Sequence, residues 1–266
     1  MAFTLDKFRL DGKVAIVTGA GGRPNSIGEA YSLGLAAAGA RVVCADLVKE
    51  GAEACADRVK AAGGTAIGLQ VDISSEVSVN AMAQAAKEAF GGVDILFNNA
   101  ALMVEMRSNP ELGGTTQTVS LKGWQTWLDV NLTGAMLCAR ACIPQMLERG
   151  GGRIVNQVSA GAYPAQGIYG ITKIALVGLT TTLAREVGKQ NITVNAIAPG
   201  MTGSSAGSSL TPEGSPFRTY ADTSAAGNPA GQPDDLVGPL LLLVSPAGQW
   251  MTGQVLHVDG GLIITN

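Results

Sequence analysis

The sequence predicts an α/β fold in which a single doubly wound parallel β-sheet of about seven strands has helices on both faces. Short runs rich in β-branched and other apolar residues alternate with longer alanine-rich segments along the 266-residue chain. This alternation is typical of strand-helix-strand units with parallel strands. No linker or internal repeat interrupts it, so we expect residues 1–266 to form one domain.

The individual elements follow from local composition and hydrophobic periodicity. The predicted strands are 14–18, 41–46, 65–71, 93–98, 153–158, 192–196 and 254–258. The predicted helices are 26–39, 49–63, 75–90, 122–149, 167–189 and 233–245. Because sheets of this kind bind ligands at the carboxyl ends of their strands, the residues that follow each strand are the first candidates for a functional site.

Composition excludes several classes of function. A net charge of −3 provides no basic field for nucleic acid or for an anionic membrane, so we expect neither partner. The N-terminus lacks a signal-peptide core, and no later apolar run looks long enough to span a bilayer, which predicts a cytoplasmic protein. A hydrophobic content of 46% indicates additional apolar surface buried between subunits. We therefore expect a homo-oligomer.

Metal chemistry is not expected. The four cysteines, Cys44, Cys55, Cys138 and Cys142, show no CxxC spacing, and the single histidine cannot complete a typical zinc site. His257 alternates with apolar residues in the last predicted strand, which favours a structural role. We interpret the cysteines as small hydrophobic residues in a reducing compartment.

A glycine-rich turn, Thr18-Gly-Ala-Gly-Gly-Arg-Pro-Asn-Ser-Ile-Gly-Glu29, connects the first predicted strand to a helix. Glycines at this place let the backbone approach a pyrophosphate, and the free N–H groups of the helix N-terminus stabilise the negative charge. Ser26 is suited to cap the helix. The alternative is a plain strand-to-helix loop.

Asp46 closes the second predicted strand, eighteen residues after Gly28. A carboxylate near this offset binds the adenosine ribose hydroxyls of a dinucleotide, and it would repel a 2′-phosphate. Asp46 therefore predicts NAD as the cofactor, with NADP as the alternative because Arg23 in the turn could reach such a phosphate. A capping role for Asp46 at the next helix is also open.

Tyr169 and Lys173 are four residues apart in a predicted helix, and Ser159 lies ten residues before Tyr169. The spacing of four places the phenol and the ammonium on one helical face. A nearby cation favours the phenolate and would lower the tyrosine pKa from about 10, which suits Tyr169 to acid-base catalysis. Ser159 could hydrogen-bond the same substrate oxygen. Ser159, Tyr169 and Lys173 together are suited to the interconversion of alcohols and ketones.

The remaining candidates lie on loops and on one long helix. Asn131 is unfavourable inside a helix unless it bonds locally or has a function. Residues 102–121 show no regular periodicity, and the first residues of this segment are apolar. Trp124 and Trp127 are interpreted as packing residues. Residues 201–233 predict a substrate-binding loop or lid. An apolar pocket for a cyclic or aromatic alcohol is expected from these segments and from the turn after Ser159; its candidate residues are Met103, Val104, Met106, Ala160, Tyr163 and Met201.

Taken together, the glycine-rich turn, Asp46, Asn98-Asn-Ala-Ala101, Asn131, Ser159, Tyr169, Lys173 and Pro199-Gly200 resemble the short-chain dehydrogenase/reductase family, in order over nearly the whole chain. The resemblance implies a Rossmann fold that binds NAD or NADP. Ser159 would polarise the substrate oxygen, Tyr169 would be the general acid or base, and Lys173 would bind the nicotinamide ribose. Asn131 would hold a water of the proton relay.

The resemblance also implies further cofactor contacts and an assembly. Asp72 and Ile73 would lie at the adenine, although Asp72 could instead cap a helix. Residues 99–101 (Asn99, Ala100 and Ala101) would line the cleft, although the asparagines could instead tie strand ends together. Ile197, Pro199 and Gly200 would lie near the nicotinamide, with Thr202 or Ser204 at its carboxamide. Members are commonly homotetramers packed through helices that correspond to 122–149 and 167–189.

The chain departs from the family pattern in two places. The glycine-rich turn is three residues longer, with Arg23-Pro-Asn25 in the extension. Phosphate contacts by Gly21 and Gly22 are therefore less expected than those that the resemblance implies at Gly19, Ser26 and Ile27. The interval from Ser159 to Tyr169 is shorter than usual. Two other functions remain open: an NADPH-dependent reductase of 3-oxoacyl thioesters, and a protein that senses NAD(P) without turnover. Enoyl reduction is disfavoured, because that branch spaces its tyrosine and lysine more widely.

Overall fold

The computed structural model describes residues 4–21, 23–105, 108–164, 166–210, 214, 218–219, 222–226 and 230–264. Within them, seven strands form one parallel sheet, as predicted. The strands are β1 (Val14–Thr18), β2 (Arg41–Asp46), β3 (Thr65–Gln70), β4 (Ile95–Asn98), β5 (Gly152–Gln157), β6 (Ile192–Pro199) and β7 (Val255–Val258). Each pair of neighbours runs parallel; Ile16, for example, is opposite Val43 of β2 and Leu96 of β4.

The strand order is β3-β2-β1-β4-β5-β6-β7. The chain therefore builds the sheet outward from β1 in one direction and then returns to add β4 on the other side of β1. Such a reversal opens a crevice at the carboxyl ends of β1 and β4, where doubly wound folds bind their ligands. The glycine-rich turn after β1 lies at this point.

Helices cover both faces of the sheet. They are α1 (Ile27–Ala37), α2 (Lys49–Ala61), α3 (Glu76–Phe90), α4 (Leu121–Leu128), α5 (Gly134–Glu148), α6 (Gly167–Val187), α7 (Ser205–Leu210) and α8 (Val237–Val244). One core cluster joins the sheet to α1, α2 and α8, with Leu35, Val59 and Leu240 fully buried. A second cluster on the opposite face joins it to α3, α5 and α6, with Met82 and Met146 buried.

The long predicted helix 122–149 is not one regular helix. A π-helical turn at Asp129–Thr133 separates α4 from α5, and the Gly134 N–H bonds to the Asp129 carbonyl. A π turn widens the helix by one residue, and such turns are frequent at functional sites. It contains Asn131, so the sequence-based helix is correct in extent but wrong in regularity.

The helix Gly167–Gln190, made of α6 and a short 3₁₀ extension, is long and apolar enough to cross a membrane by length and composition. By length and composition it is the exception, among the described residues, to the expectation that no apolar run could span a bilayer. Its hydropathy comes mainly from isoleucine, leucine and valine, and in this fold α6 packs against β6 and contributes Leu176 and Ala184 to buried clusters. It also carries Tyr169 and Lys173.

Candidate active site

A cavity of about 620 Å³ opens at the carboxyl ends of the central strands. Its wall combines the glycine-rich turn, the ends of β2 and β5, the loops after β3, β4 and β6, and the first turns of α6. The predicted site residues that line it are Gly19, Ser26, Ile27, Asp46, Asp72, Ile73, Asn99, Ala100, Ala101, Met103, Ser159, Tyr169, Lys173, Pro199, Gly200, Met201 and Thr202. Most of the predicted site is thus assembled around one cavity.

The glycine-rich turn is packed too closely for side chains. Gly19 has φ +66, and a Cβ there would lie 2.7 Å from Ala100 Cα. A Cβ at Gly28 would lie 2.3 Å from the Gly19 carbonyl oxygen. Ser26 accepts a hydrogen bond from the Glu29 N–H and so caps α1, as predicted. The turn therefore presents main chain and the N-terminus of α1 to the cavity, which is the arrangement that a diphosphate requires.

Asn99 fixes this turn to the end of β4. Its Nδ2 donates to the carbonyls of Thr18 and Gly19, both at 2.9 Å, and Thr18 Oγ1 accepts from the N–H groups of Asn99 and Ala100. Asn98, one residue earlier, instead donates to Asn156 Oδ1 at 2.9 Å. The structural interpretation of the two asparagines is therefore confirmed, and Asn99 lines the cavity as well.

Asp46 holds the turn from the side of β2. Its Oδ2 accepts from the Gly21 N–H and its Oδ1 from the Val48 N–H, both at 3.0 Å. Asp46 does not cap α2, because Val48 is the residue that precedes this helix. A carboxylate oxygen can accept more than one hydrogen bond, so these two contacts do not prevent Asp46 from accepting from ribose hydroxyls. The residues present fit a dinucleotide.

Asp72 and Ile73 follow β3 at the same rim. Asp72 Oδ1 accepts from the N–H of Ser74 at 2.9 Å and from its hydroxyl at 2.6 Å. The side chain therefore closes a tight turn, whereas Ser75 caps α3. Both Asp72 and Ile73 remain on the cavity wall.

Ser159, Tyr169 and Lys173 meet where β5 ends and α6 begins. The Ser159 hydroxyl lies beside the Tyr169 phenol and accepts from the Gly161 N–H at 3.0 Å. Lys173 is buried, and its Nζ donates to the Gln157 carbonyl at 2.7 Å and lies 5.5 Å from the centre of the Tyr169 ring. The Trp127 ring packs edge-on against Tyr169 at 6.4 Å. The phenol is thus oriented by three neighbours.

The pKa values in this arrangement have a clear physical cause. Burial raises the pKa of Tyr169 to about 12, against a smaller lowering by the Ser159 hydrogen bond. Burial also lowers the pKa of Lys173 to about 7. The predicted lowering of the Tyr169 pKa is therefore wrong for this structure, because desolvation outweighs hydrogen bonding and the Lys173 nitrogen points to Gln157. The phenol is a proton donor at neutral pH.

Asn131 lies next to the cavity but is not on its wall. Its Oδ1 accepts from the Leu102 N–H at 2.7 Å, and its Nδ2 donates to the Leu102 carbonyl and to Thr172 Oγ1, both at 3.1 Å. The side chain thus makes the local bonds that its position in a helix requires. The role of Asn131 in holding a relay water stays a prediction.

The predicted substrate residues divide into two groups. Met103, Val104 and Met201 line the cavity. The structure does not place Ala160 and Tyr163 on the wall: Ala160 is buried in a 3₁₀ turn, and the Tyr163 ring packs on His257 with 4.8 Å between centroids. The shortened segment before Tyr169 forms this turn.

Two other assignments depend on residues outside the described part of the chain. Gly22 and Met106 both lie there. The predicted lid 201–233 is described in part: Thr202 forms a bridge with Gly231, and α7 lies between them in the chain. Its role as a lid stays a prediction.

The loop after β6 brings Pro199, Gly200, Thr202 and Ser204 to the wall. A Cβ at Gly200 would lie 2.8 Å from Asp259 Cα, so the chain can pass β7 closely only with glycine. Thr202 Oγ1 and Ser204 Oγ are 3.1 Å apart, which places both carboxamide candidates together.

Several wall residues were not predicted from the sequence, among them Glu105, Leu112, Trp127, Gln157 and Ile168. Trp127 is a packing residue, as predicted, since its Nε1 donates to the Leu112 carbonyl at 3.1 Å, yet it also borders the cavity beside Tyr169. Gln166 also lies on the wall, in the segment after Ser159 that the sequence predicted to shape the pocket. Leu112 lies in an irregular segment with no periodicity to reveal its direction.

Known proteins are similar to this chain over almost its whole length. The family model described as enoyl-(acyl carrier protein) reductase matches residues 21–263. An uncharacterized oxidoreductase of Mycobacterium tuberculosis is 44% identical, over 96% of this chain and 98% of its own length. A 3-oxoacyl-[acyl-carrier-protein] reductase of Synechocystis is 32% identical over the same shares of the two chains, 96% and 98%.

A solved structure is also similar. A 7α-hydroxysteroid dehydrogenase in complex with NADH and 7-oxo glycochenodeoxycholic acid superimposes with a TM-score of 0.86 at 32% identity. The match covers 98% of each chain. The similarity in sequence and in fold thus extends over almost the whole of both chains.

Proposed function

The chain belongs to the short-chain dehydrogenase/reductase family, and we propose that it is an NAD-dependent oxidoreductase that interconverts an apolar secondary alcohol and its ketone. The observation that carries the proposal is the convergence of Ser159, Tyr169 and buried Lys173 at one end of a cavity whose other end has the glycine-rich turn and Asp46. The groups that would transfer the proton and the groups that would bind the dinucleotide therefore line the same cavity.

Bound NAD would supply the hydride chemistry. Gly19, Ser26 and Ile27 would hold its diphosphate and Asp46 its adenosine ribose. In the direction of ketone reduction, the Tyr169 phenol donates its proton to the substrate oxygen, and the Ser159 hydroxyl hydrogen-bonds the same oxygen as negative charge develops. A tyrosine with a raised pKa holds its proton until the oxygen becomes basic, which suits this direction.

The substrate end of the cavity is apolar. Leu112, Trp127 and Ile168 form one buried cluster with Tyr169 packed against it, and Met103 and Met201 complete the wall. Most of the lining surface of the described wall is apolar, so substrate binding would depend on burial of apolar surface. We therefore propose a cyclic or aromatic alcohol; a steroid ligand in a similar protein is compatible with that class.

A second candidate is reduction of 3-oxoacyl thioesters with NADPH, because the Synechocystis relative is named a 3-oxoacyl-[acyl-carrier-protein] reductase. It uses the same Ser159, Tyr169 and Lys173 but needs a site for a 2′-phosphate, where this chain has Asp46.

We also propose a cytoplasmic homotetramer, because apolar side chains such as Ile174 on α6 are exposed on the single chain.

The test is turnover of purified protein with NADH and NADPH on a panel of cyclic ketones, aliphatic ketones and 3-oxoacyl thioesters. Tyr169→Phe should lower kcat by about 10²–10⁴-fold, the range for loss of a general acid, with NADH affinity changed less than threefold. Tyr163→Phe is the matched control, because this phenol lies against His257 and off the cavity wall. Wild-type protein that binds NADH without turning over any class would favour the sensing alternative instead.

A further inference from the structure

We propose that Arg23 is a cofactor-binding residue whose guanidinium contacts the diphosphate of the dinucleotide rather than a 2′-phosphate, with Glu105 holding it in that position. The inference rests on the proposed function, because it requires a dinucleotide in the cavity. It gives the three-residue extension of the glycine-rich turn a specific role.

The extension, Arg23-Pro24-Asn25, is anchored to the loop that follows β6. Asn25 Nδ2 donates to the Gly203 carbonyl at 3.1 Å, and the Asn25 carbonyl accepts from the Ser205 N–H at 3.2 Å. Asn25 adopts φ +53, a left-handed conformation that asparagine tolerates better than most residues. The extension is therefore held in place on one side of the crevice.

On the other side, the extension reaches the loop that follows β4. Arg23 Nη2 lies 3.2 Å from Glu105 Oε1, and Glu105 Oε2 accepts from the Met103 N–H at 2.8 Å. Arg23 and Glu105 both line the cavity. The extension thus spans the crevice at the mouth between the two loops, over the N-terminus of α1.

The sheet order decides which part of a dinucleotide Arg23 would meet. Asp46 ends β2 on one side of β1, whereas Glu105 follows β4 on the other side. The ion pair with Glu105 therefore directs the guanidinium away from Asp46, where the adenosine ribose and any 2′-phosphate would lie. It directs the guanidinium towards the centre of the crevice, where the diphosphate would meet the α1 N-terminus.

The charge of the cavity supports the same assignment. Among the described wall residues, three carboxylates, Asp46, Asp72 and Glu105, stand against two basic side chains, Arg23 and Lys173, so the wall carries a net negative charge. Lys173 is buried at the far end and donates to Gln157. A diphosphate adds two negative charges, and a guanidinium has five N–H donors in a planar fork suited to phosphate oxygens. Arg23 is the cation placed to meet that charge.

The experiment measures dissociation constants of NADH, NADPH and ADP-ribose by isothermal titration calorimetry. Arg23→Gln should weaken NADH and ADP-ribose at least about tenfold, as expected for loss of a charged hydrogen bond, and should leave the NADPH-to-NADH ratio within threefold. Glu105→Gln should weaken the binding of NADH and ADP-ribose less than Arg23→Gln does, and it should also leave the NADPH-to-NADH ratio within threefold. Arg9→Gln, which removes an exposed arginine paired with Asp11 away from the cavity, should match wild type.

Two results would overturn the inference while leaving the proposed function intact. Wild-type affinity for NADH in Arg23→Gln would show that the guanidinium does not contact the diphosphate. A selective loss of NADPH affinity would assign Arg23 to the 2′-phosphate instead. Failure of the wild-type protein to bind either dinucleotide would overturn the proposed function itself, and this inference with it.

Discussion

The side chain of Asn131 hydrogen-bonds both main-chain groups of Leu102: it accepts from the N–H at 2.7 Å and donates to the carbonyl at 3.1 Å. The same amide donates to Thr172, whose hydroxyl donates to the Tyr169 carbonyl at 2.7 Å. One side chain therefore ties the loop after β4 to the helix that carries the phenol. This explains why a polar residue lies within a π turn in the interior.

Replacing Asn131 by alanine should lower the free energy of unfolding by about 1–3 kcal/mol, because two partly buried main-chain groups of Leu102 lose their partner. It should also lower kcat, since the loop and α6 are no longer joined. Asn195→Ala is the control: its amide similarly bonds the Met251 carbonyl and the Gln254 N–H, at a distance from the cavity. Urea denaturation and kcat are measured on both. Equal loss of kcat in the two variants would contradict the positioning role.

The raised pKa of Tyr169 predicts opposite pH profiles for the two directions of reaction. Ketone reduction needs the protonated phenol, so its rate should be flat from pH 6 to pH 9 or so. Alcohol oxidation needs the phenolate, whose fraction grows about tenfold per pH unit below a pKa of about 12. Single-turnover rates at saturating substrate separate this effect from binding. An oxidation rate that is level above pH 7 would indicate a phenol pKa lowered by Lys173.

The sequence predicted the parts of the site that are fixed by main-chain geometry. A glycine turn, a carboxylate at a strand end and a spacing of four on a helix each define direction through local structure, and Gly19, Asp46 and Lys173 all reach the cavity. Side chains on irregular segments were not predictable in this way. Tyr163 was assigned to the pocket by proximity in sequence, yet the turn at Ala160–Ala162 directs it to His257.

The pKa values were also beyond sequence reasoning, because they depend on burial more than on spacing. The four-residue interval indicates that Lys173 lies near Tyr169, but not that the Lys173 nitrogen bonds the Gln157 carbonyl and that both groups lose water. The same limit applies to Glu105 and Trp127, whose place on the wall depends on how loops fold back across the sheet.

Burial of Lys173 predicts that stability rises with pH. The pKa of Lys173 is lowered from 10.5 to about 7 in the folded protein, so above pH 7 the unfolded chain binds the additional proton. The free energy of unfolding should then increase by about 1 kcal/mol per pH unit between pH 7 and pH 8.5, from this group alone. Below pH 7 both states are protonated and the cost of burying the charge is constant.

Lys173→Met isolates this effect, because methionine fills a similar volume without a charge. Its stability should exceed that of wild type at pH 6 and the difference should shrink towards pH 8.5. Guanidinium denaturation at several pH values gives both curves. Parallel curves for the two proteins would mean that the lysine titrates near its ordinary pKa.

Asp46 should determine the choice of cofactor. Asp46→Asn removes the negative charge and retains an oxygen that can accept from the main chain, so the ratio of NADPH to NADH affinity should rise about tenfold. Asp72→Asn is the matched control, since this carboxylate also borders the cavity but closes a turn at Ser74. Its ratio should stay within threefold of wild type. An unchanged ratio in Asp46→Asn would remove the basis for NAD preference.

Exposed apolar side chains on α6 predict the assembly. Ile174 is 45% exposed on the helix that also carries Tyr169, and the predicted tetramer packs through this helix. An aspartate at this position would place a charge in a dehydrated interface at a cost of several kcal/mol, so Ile174→Asp should yield a smaller species. Val77→Asp is the control, because Val77 is 81% exposed on α3, outside the predicted interface. Light scattering after size-exclusion chromatography gives the masses. If Ile174→Asp kept the wild-type mass while Val77→Asp lost it, the interface would lie on α3 instead, because a charge is tolerated only where water remains.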